Sequence, residues 1–283
     1  MKKRKYILLR LILVTGIFFV QVTFASLTQA KIVKFQSDGL HLQGELFKPD
    51  GDGPFPAVLY NHGSAPGMLN SELSAILGPM FTKRGWVFFM PYRRGQGLSV
   101  DQGPYIMDKI NSARWSIFNS SSETMVHLLK TDHLTDQMAG LKWLKKQKFI
   151  QKDYIASMGN SFGGIETILG MARADYFAGI VASGASKSWN YSDELQIVMK
   201  NAISKIQKPI FFFQAVNDYN LSPSKVLSSM MMQNGKIVKL KIYPKYGSSQ
   251  KEGHSFPYRG ISIWFNDVFL FLNKYRSLKI INN

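Results

Sequence analysis

Between Tyr154 and Gly164 an apolar run leads into a G-x-S-x-G pentapeptide centred on Ser161, and a helical pattern follows from Ile165 to Ala172. This order predicts a strand, a tight turn and a helix, and no other stretch constrains the chain as strongly. A serine lifted on so sharp a turn needs neighbours without side chains, because Cβ atoms at Gly159 and Gly163 would run into the strand and the helix. The helix start also aims free backbone N–H groups at the serine. The setting is that of a nucleophile elbow, and the competing reading is a glycine-rich turn before a packed helix.

The first thirty residues stand apart from any fold. Lys2, Lys3, Arg4 and Lys5 form a basic start, Leu11 to Val20 is apolar, and Ala25 or Ala30 closes a small-residue cleavage site. The pattern predicts a signal peptide over residues 1–30 and an exported, periplasmic or secreted, product. An uncleaved membrane anchor is the competing expectation, but Arg10 and Gln21 bracket an apolar core shorter than the ~20 residues a span needs. No stable membrane insertion is therefore expected once the leader is removed. The remainder, residues 31–283, has no linker rich in Pro, Gly or Ser and reads as one α/β domain.

The chain has no cysteine, which excludes disulfides, thiolate metal sites and attachment through a lipidated cysteine. The leader carries five basic residues and no acid, so its removal takes the net charge from +17 to +12. That charge reads as a solvated face, because Lys145, Lys146 and Lys148 sit at a helix end without an aromatic-rich nucleic-acid motif. No nucleic-acid partner is expected.

Taken in order, Lys31–Gln36 and His41–Lys48 are β-type runs around the turn signal of Ser37, Asp38 and Gly39, and they predict an antiparallel hairpin. Pro56–Tyr60 reads as a buried strand ending in Asn61, His62, Gly63 and Ser64, a turn able to present an N–H to a reacting carbonyl. Leu73–Arg84 has helical spacing, and Trp86–Met90 reads as a strand. In the basic loop Pro91–Ser99, Arg94 either holds an anionic group or ties the loop together by hydrogen bonds. Asp101–Ser120, within a candidate lid or rim from about residue 100 to 135, mixes Gly103 and Pro104 with Tyr105, Trp115 and Phe118.

Ser121 to Lys148 reads as helical, with His127 and His133 at surface or rim positions and no ligand spacing for a metal. Phe177–Ala182, Pro209–Gln214 and Ile237–Tyr243 read as strands, Lys225–Gln233 and Ile261–Tyr275 as helices, and Gly253–Phe256 as a loop. Trp189 and Tyr191 are candidates for the pocket lining, with aromatic packing as the alternative. Strands alternate with helices, which predicts a mostly parallel sheet covered on both faces.

A serine hydroxyl needs a base within hydrogen-bond reach and a third group to orient that base. Of the five histidines only His254 follows Ser161. Among the acids between them, Asp218 alone sits directly beyond a strand-like run, with Asp193 or Glu194 as alternatives. The order Ser161, Asp218, His254 is that of one triad class. The N–H of Phe162, with one from Gly63 or Ser64, completes a candidate oxyanion hole.

These pieces resemble the α/β-hydrolase superfamily, most closely its dienelactone hydrolase branch, which shades into prolyl-oligopeptidase-type peptidases. The resemblance covers nearly all of residues 31–275. It rests on Asp38, Gly39, Leu40 and Gly44, on Pro56–Gly63, Arg94–Ser99 and Gly159–Gly164, and on Asp218, Gly253 and His254. It implies the α/β-hydrolase fold, a small-molecule ester substrate, and hydrolysis through an acyl-enzyme on Ser161 without metal or cofactor. A peptidase or amidase using the same residues, or a catalytically silent binding protein, are the alternatives. The departures bear on substrate: dienelactone hydrolases proper carry a cysteine nucleophile, the family often has His-Gly where Gln214 and Ala215 stand, and an acid where Tyr92 stands. No β-propeller is expected ahead of the hydrolase segment, which tells against an oligopeptidase that sieves its substrates.

Overall fold

The computed structural model describes residues 29–64, 72–115 and 120–281. The leader expectation over residues 1–28, with the cleavage site at Ala25, lies outside the described residues, as do Ala65 to Gly67 of the turn after the first buried strand and Phe118 of the candidate lid.

Eight strands form one sheet among the described residues: β1 (Lys31–Ser37), β2 (Leu40–Phe47), β3 (Phe55–Asn61), β4 (Val87–Pro91), β5 (Ile150–Asn160), β6 (Ala178–Ala182), β7 (Ile210–Ala215) and β8 (Val238–Tyr243). Their order is β1-β2-β4-β3-β5-β6-β7-β8. The hairpin is antiparallel, with Ser37 opposite Leu40, and Asp38 and Gly39 both turn at positive φ, the geometry a two-residue hairpin loop demands. β2 is antiparallel to β4, and every pair from β4 through β3, β5, β6 and β7 to β8 is parallel.

Helices cover both faces: α1 (Glu72–Thr82), α2 (Ile106–Ser112), α3 (Ser121–Lys130), α4 (Asp132–Lys145), α5 (Phe162–Arg173), α6 (Asp193–Lys205), α7 (Ser222–Gln233), α8 (Gln250–Arg259) and α9 (Ile261–Ile281). The central strands bury both faces, so their two-residue period shows in which helices each side chain meets. Val58, Tyr60, Phe88, Met90 and Met158 pack with α1, α8 and α9. Ala57, Leu59, Val87, Phe89 and Ile155 pack with α2 to α7. Among the described residues no helix is long and apolar enough to cross a membrane.

Three expectations are corrected. The helical stretch after Ser121 is two helices, broken at Thr131 (φ −114°, ψ −92°), whose hydroxyl donates to the His127 carbonyl at 2.8 Å. His127 is exposed as expected, but His133 is buried, since α4 lays that face on the core beside β1. The Gly253–Phe256 loop is instead the middle of α8. A capping box of Ser249 and Glu252 starts that helix, and Gly253 is there because a Cβ would fall 2.5 Å from the Asn217 carbonyl oxygen.

The segment after β4 is anchored through one carboxylate. Buried Asp136 on α4 accepts from Arg94 Nη2 (2.8 Å), Nε (3.0 Å) and N–H (2.9 Å) and from the Ser37 hydroxyl (2.6 Å). Arg94 thus ties its loop to α4 and β1. Asp136→Ala, which removes all of these contacts and leaves the Arg94 guanidinium only its 3.5 Å ion pair to part-exposed Asp132, should cost about 3 kcal/mol in urea unfolding, above an exposed ion pair.

Candidate active site

The elbow forms where β5 ends between β3 and β6. Ser161 sits at φ 53°, ψ −121°, a backbone conformation that costs a β-carbon-bearing residue of order 1–3 kcal/mol. Its N–H donates to the Ala182 carbonyl of β6 at 3.0 Å, and α5 starts at Phe162. A Cβ at Gly163 would lie 1.9 Å from the Asn61 carbonyl oxygen, and one at Gly159 would lie 2.2 Å from the Gly163 oxygen. Both glycines are therefore required by backbone packed on backbone.

His254, on α8, reaches this turn from the far side. Its Nε2 is 3.1 Å from Ser161 Oγ and its Nδ1 is 2.8 Å from Asp218 Oδ1. Asp218, in the turn after β7, is buried, and its carboxylate is fully engaged. It accepts from the Ser186 hydroxyl (2.6 Å), the Tyr219 N–H (2.6 Å) and Gln214 Nε2 (3.3 Å) as well as from the imidazole. Asn217, its neighbour, ties the same turn to the start of α8 by donating to the Tyr246 and Ser249 carbonyls and accepting the Tyr246 N–H. The Tyr219 ring lies 5.1 Å from the imidazole. The alternative acids Asp193 and Glu194 sit exposed at the start of α6, where Glu194 is 3.9 Å from Lys130.

A cavity of about 1350 Å³ opens over these groups, lined by Ser161, Phe162 and His254 together with Ser64, Tyr105 and Tyr258. The structure thus brings Ser161, Asp218, His254, Phe162 and Ser64 to one place. Gly63 is buried beside them, with the Tyr258 hydroxyl where its Cβ would be. The candidate lid contributes Tyr105, Ile110 and Arg114 to the wall, held down by buried Ile106 and Ile110. Tyr191 lines the rim, whereas Trp189 is packed inside.

Sequence reasoning missed several groups. Ser186 and Gln214 were silent because their roles appear only when β6 and β7 lie side by side. Tyr258 falls on the His254 face of a helix read as a loop, and burial holds its hydroxyl protonated by raising its pKa. The Tyr92 hydroxyl reaches a carboxylate after all, bonding buried Glu45 at 2.9 Å.

The acylaminoacyl peptidase of Pyrococcus horikoshii superposes with a TM-score of 0.61 at 18% identity, over 82% of this chain and 38% of that one. The Pyrococcus furiosus esterase Pf2001 superposes with a TM-score of 0.60 at 16% identity, over 87% of this chain and 93% of that one. A Klebsiella pneumoniae protein assigned to the dienelactone hydrolases gives 0.58 at 15%, over 84% and 98%. This chain is an α/β-hydrolase by fold. The family model of the prolyl oligopeptidase family matches residues 122–198, which hold Ser161 and α5 but neither Asp218 nor His254. No curated protein matches the chain in sequence. This chain spans well under half the length of the acylaminoacyl peptidase.

On the buried face of the elbow helix of this α/β-hydrolase, α5, stands Glu166, wholly buried, its pKa pushed up to about 8 by burial against the opposing pull of Arg93. With its amide turned to satisfy both ends, Gln137 donates to the Glu166 carbonyl and Oε2 at 2.9 and 3.2 Å. Between an unfolded-state value near 4.5 and the folded value near 8, the unfolded chain has lost a proton the folded chain keeps, so this group's stabilisation wanes as pH rises and levels off above about 8. Glu166→Gln removes that slope. Its thermal midpoint relative to wild type should climb from acidic to mildly alkaline pH, and a constant offset across that window would contradict the assignment.

Proposed function

We propose that the chain is a serine hydrolase acting on carboxylic esters of small or medium acyl compounds through an acyl-enzyme on Ser161. The observation that carries this reading is the continuous line from Ser161 Oγ through both ring nitrogens of His254 to Asp218, at 3.1 and 2.8 Å. Ser161 Oγ attacks the acyl carbon while its proton passes to His254 Nε2, and Asp218 keeps the other ring proton on Nδ1 and stabilises the imidazolium. The oxygen that gains negative charge is met by the Phe162 N–H and a second N–H from the turn after β3. His254 then protonates the departing alcohol. In the second half it takes a proton from water, whose oxygen attacks the acyl carbon, and returns that proton to Ser161 as the acid leaves.

An amidase or peptidase would use the same residues, and the prolyl oligopeptidase family match around Ser161 speaks for it. The ester reading is favoured because the likeness to the Pyrococcus furiosus esterase spans nearly the whole of both chains, while the acylaminoacyl peptidase has most of its length outside the shared part.

A panel of p-nitrophenyl esters and aminoacyl anilides, with fluorophosphonate labelling, tests the proposal. Esters should be turned over, the label should sit on Ser161, and Ser161→Ala should lose about 10⁴-fold or more in kcat. A Ser161→Ala variant as fast as wild type would overturn the mechanism, and wild type that neither turns over nor labels would favour a binding protein. We also propose that the product is exported and cleaved after Ala25 or Ala30, on the strength of the basic start and apolar run of the leader. Intact mass of the exported protein checks this, and a mass that still includes Met1 to Ala25 would contradict it.

A further inference from the structure

The turn after β3 offers two backbone N–H groups, and the buried side of that turn distinguishes them. The Gly63 carbonyl is held from within by two donors, His62 Nδ1 at 2.7 Å and Arg93 Nη2 at 3.2 Å. The tautomer of His62 follows from its other nitrogen. The Arg93 backbone N–H points at Nε2 from 3.3 Å, so Nε2 accepts and the proton rests on Nδ1, facing the Gly63 oxygen. His62 is fully enclosed, and burial together with the Arg93 charge holds its pKa well below the usual histidine range. It therefore stays a neutral, single-purpose donor. Arg93 is itself buried, with Nε donating to Gln96 Oε1 at 3.3 Å.

A trans peptide group is planar, with its N–H directed opposite to its C=O. With the Gly63 carbonyl drawn inward to His62 and Arg93, the N–H of Ser64 in the same peptide group points outward, to the cavity that Ser64 lines. The next carbonyl, that of Ser64, is held by the Tyr105 hydroxyl, so the turn is gripped on both sides of this N–H. Among the described residues neither the Ser64 nor the Phe162 N–H is engaged in a hydrogen bond.

We infer that Arg93 and His62 are a positioning pair that makes the Ser64 N–H, rather than that of Gly63, the second oxyanion donor beside Phe162. The inference rests on the serine-hydrolase reading and adds two residues to it. The pair also polarises the peptide: a cation and an N–H on the Gly63 oxygen draw electron density toward it and strengthen the Ser64 N–H as a donor. Neither side chain touches substrate, and both act through the peptide they hold.

The test compares kcat with KM on a p-nitrophenyl ester, and the affinity of a trifluoromethyl ketone, which forms a tetrahedral oxyanion on the serine, with that of a carboxylate product, which does not. Arg93→Met should lower kcat by about 10-fold to 100-fold, within the range for weakening one oxyanion donor, and leave KM within about two-fold. Ketone affinity should fall with kcat while product affinity holds. His62→Asn, which returns an N–H near the place of Nδ1, should recover much of what His62→Ala loses, and this pair supplies the answer if Arg93→Met fails to fold.

Folded Arg93→Met with unchanged kcat would overturn the inference. So would equal losses for ketone and product, or His62→Asn no better than His62→Ala. Each of these leaves the parent reading standing, because wild type would still hydrolyse the ester. Wild type without turnover or labelling would instead remove that reading, and the inference with it.

Discussion

Everything at the candidate site depends on one contact between main chains: the Asn61 carbonyl at the end of β3 presses on the two glycines that flank Ser161 across the neighbouring strand end. No side chain fits at either glycine, and that closeness allows the chain to leave β5, reverse at Ser161 and enter α5 within one residue. The turn carrying Ser64 is the direct continuation of β3. One crossing of backbones therefore brings the turn at Ser161 beside the turn that carries Ser64, and the side chains that grip the second turn refine a placement the main chain has already made.

His254, the proposed base, arrives by a less rigid route. His254 stands on a helix beyond the last strand, and its place against the sheet is fixed through the turn after β7. Asn217 holds the helix start while Asp218 holds the imidazole, so adjacent residues anchor the support and the ring separately. The Asp218 carboxylate is saturated by Ser186, Gln214 and the Tyr219 N–H. Such saturation holds a buried carboxylate in one orientation, which a group that orients an imidazole requires.

How much was legible in advance follows from which forces act locally. The buried strands could be read because continuous apolar runs bounded by turns have few other uses, and the elbow because its glycines and serine recur at a spacing the geometry enforces. The helix holding His254 was not legible. Gly253 and Pro257 are both poor helix formers; the capping box of Ser249 and Glu252 starts the helix regardless, and the close approach of the Asn217 carbonyl accounts for the glycine. The break at Thr131 carries neither Gly nor Pro and comes from a hydroxyl bonding back to its own helix. The burial of His133 was hidden because its periodicity places a polar residue on the face that packs. Arg93 and Ser186 carried no signal, while His62 stood out only as part of a turn and Gln214 only as a departure from the family pattern, since the contacts of each come from a partner brought close by the sheet.

The buried polar layer beneath the site then has an electrical consequence. Arg93 lies close enough to Glu166 and Asp136 for their charges to act on it, and a carboxylate at either opposes its field at the turn after β3. Asp136 is occupied by Arg94 and Ser37, facing β1. Glu166 is the group that decides the balance, and burial pushes its pKa up to about 8, so near neutral pH it is mostly uncharged. With that carboxyl protonated, the Arg93 charge faces the Gly63 carbonyl with less opposition, in a low-dielectric setting where a charge reaches further than in water. Burying a cation there costs desolvation. That cost is partly offset by the Gly63 and Gln96 oxygens it binds, and in the proposed mechanism the remaining field would favour negative charge developing on the substrate oxygen.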